Sequence, residues 1–519
     1  MAAPSPALIL WLVAMMALTA LAPARADTLD QIRQKGVLTA GVKADYAPFG
    51  FRDGKGDIVG FDADVAAALA ARLGVALRIV PVTASNRLQK LAAGEVDVIV
   101  ATLGDTIDRR RLARMIEPGY FGGGASIIVP EDSPIRAWSD VAGRPLCAVQ
   151  GALWNRLVST RLLGDVRAFS STRDAELALR EGNCAGYLYD EAALSYLMAS
   201  GNWAGYRLLP AEFVSPWAIA VASDGPLATL FDQTVADMMR DGSLRAMADK
   251  WKLPSTAYLD GAEKLWKARE ADGAWLCRKQ ADDRWPAACR DLDLIEAQDL
   301  TGMGSVILSL RDRFGIDLSA FYDPYGRALF VHALLTTFVL AAAAVAGSLM
   351  VGFVGAVLLN LRVALVSRFT SFCLVVLRMT PPLLQLYLVF FGIGGLLAAR
   401  GFTLDAMLVA ITVLSLYAGA ANAVTLAEAA RTVPLIADDR MHRIGRLAFP
   451  ALMGSCLNIV KATAMASAIA VPELVHASTA IISDYGNSGE MMNILLACYV
   501  AIVLSVVQLF HLVERRLLR

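Results

Sequence analysis

Ala333-Leu-Leu-Thr-Thr-Phe-Val-Leu-Ala-Ala-Ala-Ala-Val-Ala-Gly-Ser-Leu-Met-Val-Gly-Phe-Val-Gly-Ala-Val-Leu-Leu359 carries no charged side chain. As a helix it is long enough to cross about 30 Å of hydrocarbon. It lies within an apolar run over 329–359, and further runs of that kind cover 369–397, 404–426, 450–472 and 491–512. The last third of the chain is therefore expected to be an all-α transmembrane domain of five helices, over 326–519. Hydrophobic residues make up 56% of the 519, but the excess is concentrated there and near the N-terminus. Lysine plus arginine (48) equals aspartate plus glutamate (48), so no charge excess points to nucleic acid as a partner.

The flanks of these runs give an orientation. Residues 360–368, 427–447 and 513–519 hold Arg362, Arg368, Arg431, Arg440, Arg443, Arg446, Arg515, Arg516 and Arg519, whereas the alternate loops hold only Arg400. Cationic loops stay on the cytoplasmic side, so everything before the first run is expected outside and the C-terminus inside. The beginning of the chain agrees. An apolar stretch over 8–21 followed by Ala24 and Ala26 has the form of a signal peptide, 1–26, cleaved before Asp27. The absence of lysine or arginine before Leu8 leaves an uncleaved anchor helix open.

Between these ends, 28–254 alternates short apolar strands with amphipathic helical segments, for example 37–42, 62–73, 77–80, 87–93 and 96–101. That alternation predicts α/β layers. Glycine- and aromatic-rich stretches at 119–124 and 210–217 look like crossings between two lobes with a hinge. Residues 254–325 are more polar, contain Trp266, Trp275, Trp285, Cys277 and Cys289, and are expected to be a spacer with a small ordered element. No Gly-x-x-x-x-Gly-Lys-Ser/Thr loop occurs, so ATP chemistry of that type must come from another chain. Neither a metal-ligand cluster nor a Ser-His-Asp set is recognisable, and no cofactor is expected.

Gly41-Val-Lys-Ala-Asp45-Tyr46-Ala-Pro48-Phe49, Gly60-Phe61-Asp62-Ala-Asp64, Gly94-Glu-Val-Asp97 and Met239-Arg-Asp-Gly242 through Lys250-Trp251 resemble, in order and spacing, the periplasmic amino-acid-binding proteins. The resemblance implies a two-lobed α/β periplasmic-binding fold over 27–253. It also implies a partner of opposite charge for each end of a buried amino acid. Arg109 would clamp the α-carboxylate with Thr102 nearby, and Asp190 would receive the ammonium group. Tyr46 and Phe49 would form an aromatic wall, and Lys43 would reach the ligand side chain and favour an acidic or carbonyl-bearing one. Read without the resemblance, the Arg109-Arg110-Arg111 run would equally be a solvated helix face, Asp190 a helix N-cap and Lys43 a surface residue. Ala152 and Leu153 depart from the hydroxyl pair usual in that family.

The C-terminal third resembles the polar-amino-acid ABC permeases, from Asp323-Pro-Tyr-Gly onward. Arg378-Met-Thr380-Pro381-Pro-Leu-Leu-Gln385 and Asn458-Ile-Val-Lys461-Ala-Thr463 carry that likeness, although Ala462 stands where an Asp is usual. Arg378, Thr380 and Lys461 would lie on the membrane pathway. Glu428-Ala429-Ala430 matches the start of the family's ATPase-contacting motif, but Val433-Pro434 replaces its later glycine. The contact could instead be 435–444, on a fresh helix starting near Pro434 with Asp438 and Asp439 in its first turns.

Disulfides Cys147–Cys184 and Cys277–Cys289 are expected, because those four cysteines lie outside the cytoplasm while Cys373, Cys456 and Cys498 lie in spans. Some amino-acid-binding relatives have cysteines at the first two places. The resulting expectation is the binding and permease subunit of an ATP-driven amino acid importer of the bacterial inner membrane, with a separate ATPase dimer and a second permease chain, the same or different. The rivals are a ligand sensor whose membrane part does not transport, and a dehydratase built on the same binding fold.

Overall fold

The computed structural model describes residues 28–517, apart from 202, 255, 281–282, 291–301, 315, 317, 319–320, 322–323, 399, 401, 403, 435–438 and 486. The expected signal peptide and Asp438 thus lie outside the described residues.

Two lobes form around parallel strands. In the first, Val37–Lys43 lies between Ala76–Val82 and Val98–Gly104, with Val37 opposite Ala76 and Ala40 opposite Val98. Val98–Gly104 is buried along its whole length, as its unbroken apolar run requires of a strand covered on both faces. In the second lobe, Pro145–Val149 lies between Asp165–Phe169 and Gly186–Asp190. The lobes are joined by two long strands, Phe121–Pro130 and Glu212–Val221, which pair antiparallel with Trp217 opposite Phe121 and Ser215 opposite Gly123. These are the crossings expected at 119–124 and 210–217.

Local chemistry fixes the elements that face the cleft between the lobes. Helix Phe61–Leu73 starts at Gly60, whose φ of 134° suits glycine alone, and a Cβ there would lie 2.1 Å from the Phe49 carbonyl oxygen. Cys147 and Cys184 are bonded with their Cα atoms 5.5 Å apart, tying together the adjacent strands of the second lobe. Cys277 and Cys289 are bonded as well, and Cys373, Cys456 and Cys498 are free.

Part of the stretch expected to be a spacer is folded against the first lobe. Helix Ala257–Trp266 lays Tyr258 against Gly119 and Gly122 at the base of the crossing strands. Arg245 pairs with Asp260 and Glu263, Lys279 pairs with Asp232, and Trp266 meets Trp285 edge to face.

The C-terminal part is helical. Among the described residues, four helices are long and apolar enough to cross a membrane: Tyr325–Asn360, Ala406–Thr432, Arg440–Ile469 and Ser488–Arg515. A bent pair, Ala364–Met379 and Pro382–Ala398, gives a fifth if taken as one span, with a 105° turn at the break. Pro381 and Pro382 cause that break, and Gln385 donates to the orphaned carbonyls of Leu377 (2.7 Å) and Thr380 (2.9 Å) beside it. Helices Tyr325–Asn360 and Ala406–Thr432 approach closely through small residues. A Cβ on Gly352 would meet Asn422, and one on Gly419 would meet Val351, each at 2.6 Å.

The fresh helix expected near Pro434 begins instead at Arg440 and runs to Ala462 with Pro450 inside it. Asp439 therefore stands at its N-cap position rather than in its first turn, and it pairs with Arg443 at 2.6 Å. Glu428, Ala429 and Ala430 continue helix Ala406–Thr432 to its end.

Candidate ligand-binding site

The lobes are closed on each other, and the residues singled out from sequence meet across the closure. Tyr46 Oη from the first lobe donates to Asp190 Oδ2 from the second, and Trp154 Nε1 donates to Asp190 Oδ1 at 2.7 Å. Asp190 occupies the N-cap position of helix Glu191–Ala199, yet its side chain makes no capping bond and turns its carboxylate to the cleft instead. Phe49 is fully buried, 5.5 Å from the Tyr46 ring, and packs on Trp217 and Phe121.

Arg109 is only 1% exposed. Its guanidinium donates to the carbonyls of Gly104 (3.0 Å) and, across the cleft, Gly151 (3.2 Å). The neighbouring Arg110 pairs with Asp105 and Glu117, so this arginine run is not a solvated face. Burial pushes the Arg109 guanidinium below its usual range, opposed chiefly by the carboxylate of Asp484. Thr102 has a positive φ of 45° and a buried hydroxyl without a hydrogen-bond partner among the described residues. Its backbone N–H donates to Tyr120 Oη, which in turn donates to Asp62.

Lys43 is 4% exposed and so is no surface residue. Its Nζ lies 4.0 Å from the centre of the Tyr46 ring and donates to Tyr189 Oη at 3.3 Å. Burial, reinforced by Arg87, lowers the Lys43 ammonium to about 7, while burial raises the Asp62 carboxyl to about 7. Arg87, Asp62, Trp154 and Tyr189 were not singled out from sequence as site residues. Arg87 sits at the start of a short amphipathic helix, where its residue type signals a surface, but it is buried and donates to the Thr102 carbonyl at 3.1 Å. Trp154 does stand in the Gln150-Gly151-Ala152-Leu153-Trp154 segment, and an indole N–H opening a helix beside a cleft was a usable signal.

A second group of contacts joins both lobes to the helical part. Helix Leu474–Tyr485 lies against them: His476 Nδ1 is 3.1 Å from Gln150 Nε2, and Ser483 Oγ donates to the Ala84 carbonyl at 3.2 Å. Arg156 donates to Tyr485 Oη at 2.9 Å and pairs with Asp108. Phe169 meets Phe391 with ring centres 6.3 Å apart.

Elsewhere in the helical part, Arg378 and Lys461 line one cavity with Pro382, Tyr417 and Asn458. Thr380 caps the end of helix Ala364–Met379 and donates to the Val376 carbonyl. At the end of the bundle where Arg431 donates to Asn360 and Leu359, Glu428 is exposed, whereas Ala429 packs with Val433, Ile444 and Ala448.

Two lobes joined by crossing strands, closing on paired charges and aromatic rings, define a solute-binding protein. Residues 38–254 match the model of the bacterial extracellular solute-binding proteins, family 3, and the chain belongs to that family. It is 30% identical over 207 residues to a glutamine-binding protein of Geobacillus stearothermophilus, covering 38% of this chain and 77% of the relative. It is 29% identical over 233 residues to the ABC transporter glutamine-binding protein GlnH of Bacillus subtilis, covering 43% and 84%. Among solved structures, holo ArgBP from T. maritima is 28% identical, with 43% of this chain and 99% of that one covered at a TM-score of 0.39.

Proposed function

We propose that the chain is the binding and permease subunit of an ATP-driven importer for amino acids or close analogues. The reading that best supports this is the docking: helix Leu474–Tyr485 touches both lobes at once, so a solute held between them faces the helical bundle directly. The binding-domain contacts, at Phe391 and over 474–485, lie toward the side whose loops are poor in cationic residues. The arginine-rich ends at 360–368 and 431–446 are the complementary set, as expected of a domain outside and loops inside a bacterial inner membrane.

In this reading Arg109 holds the α-carboxylate, Thr102 adds a hydroxyl, Asp190 receives the ammonium group, and Tyr46 and Phe49 close the wall. The side-chain end lies toward Lys43. The solute then passes by Thr380 and by Arg378 and Lys461, and the cavity that the latter two line is one half of a passage completed by a second permease chain. A separate ATPase dimer engages the end marked by Glu428, Ala429, Ala430 and Asp439, and its movement alternates access to the path. Covalent fusion holds the binding domain at roughly millimolar effective concentration over its permease. The test is calorimetric titration of the full chain with L-glutamine, L-glutamate, L-arginine and L-cystine, and the failure of all four together with other amino acids contradicts the reading.

A further inference from the structure

Helix Leu474–Tyr485 reaches beyond the rims of the lobes to the carboxylate clamp itself. Asp484 Oδ1 lies 3.6 Å from Arg109 Nη2, and among the described residues this is the only ion pair that Arg109 makes. The other partners of the guanidinium are neutral backbone carbonyls, at Gly104 and Gly151.

The approach is held from both sides. On the bundle, Glu473 is fully buried and accepts from the backbone N–H groups of His476 (2.8 Å) and Val475 (2.9 Å) and from Tyr499 Oη (3.1 Å). Thr337 Oγ1 accepts from the Leu474 N–H at 2.9 Å, so the first turn of the helix is pinned. On the lobes, a Cβ on Gly151 would lie 2.1 Å from Ser483 Oγ, and Gly151 has a φ of 77°. Only glycine gives this close approach in that backbone conformation. Asp484, next in sequence to Ser483, is carried to Arg109 by the same docking.

A buried guanidinium that binds one carboxylate strongly will bind another in its place. We infer that Asp484 is a release residue: in the docked state its carboxylate competes with the solute's α-carboxylate for Arg109 and so favours discharge into the permease. This rests on the importer reading of the cleft. A helix that served only as a latch on the closed lobes would, on losing its grip, leave solute affinity unchanged or lower it, so the direction of the change separates the two roles.

The experiment titrates the full chain in lipid nanodiscs with L-glutamine, L-glutamate, L-arginine and L-cystine, and takes the one wild type binds most tightly as the probe. Asp484→Asn, which keeps the shape and removes the charge, is expected to bind that probe about tenfold more tightly than wild type. Asp484→Ser is expected to shift affinity in the same direction, and Asp484→Glu to restore wild-type affinity. Wild-type binding that Asp484→Asn and Asp484→Ser leave unchanged or weaken overturns the release role alone. No binding of any probe by wild type or variants overturns the amino-acid reading of the cleft and the release role with it.

Discussion

Arg109 and Asp190 each face the cleft with a charge removed from water, and such groups tolerate burial only when paired. Replacing either by alanine would leave one end of a bound amino acid desolvated and unmatched, at a cost of about 2 to 5 kcal/mol. Titration of Arg109→Ala and Asp190→Ala should therefore show binding lost while the unfolding profile stays near that of wild type. Lys43 yields a pH dependence. Its ammonium is lowered from 10.5 to about 7 in the folded chain, so between those values the unfolded chain carries more protons and stability rises with pH. At and below about 7 the penalty of burying the charge is fully present. Lys43→Met should accordingly be more stable than wild type near neutral pH, with the difference shrinking as pH rises toward 10.5. Thermal unfolding of both proteins across that range measures it.

At the scale of elements, the crossings between lobes were legible in glycine- and aromatic-rich stretches, and the apolar helices in their length. Pro381-Pro382 breaks the apolar run over 369–397 into Ala364–Met379 and Pro382–Ala398 for a local reason, since proline cannot continue the hydrogen-bond ladder. Helix Arg440–Ala462 takes Asp439 as its N-cap rather than starting near Pro434, because proline at 434 permits a helix to begin but does not oblige it to. The site was only partly legible. Arg109, Asp190, Tyr46 and Phe49 stand in motif segments, whereas Arg87 reads as a surface residue until the fold buries it. Asp484 is more than three hundred positions from Arg109, and nothing local signals that docking brings them together.

The Cys147–Cys184 bond, 37 residues apart, is the element-scale device that holds the second lobe's strands in register. Replacing both cysteines by serine should cost about 3 to 4 kcal/mol by the loop-entropy relation. A lowered unfolding temperature in oxidising buffer, absent when wild type is compared in reductant, checks it. Gly151→Ala is the corresponding probe of docking. Its methyl group would collide with Ser483 and the Ala84 carbonyl, so a cysteine pair introduced as Ala84→Cys and Ser483→Cys should cross-link poorly once Gly151 is replaced.

For the whole molecule, the two lobes, helix Ala257–Trp266 and the helical bundle pack as one connected series, which the importer reading takes as the route from binding to release. The sheet brings charged groups into one cleft, the crossing strands allow it to close, and helix Leu474–Tyr485 sets the closed cleft on the bundle. In the importer reading, the cationic ends at 360–368 and 431–446 are the face proposed to meet an ATPase. Reconstitution of the full chain with a candidate ATPase and second permease chain in proteoliposomes tests this series most directly, by following uptake of the radiolabelled amino acid that the chain binds most tightly. Concentrative uptake that requires ATP and is lost in Arg109→Ala is the predicted result, and binding of that amino acid without ATP-dependent uptake would contradict the account.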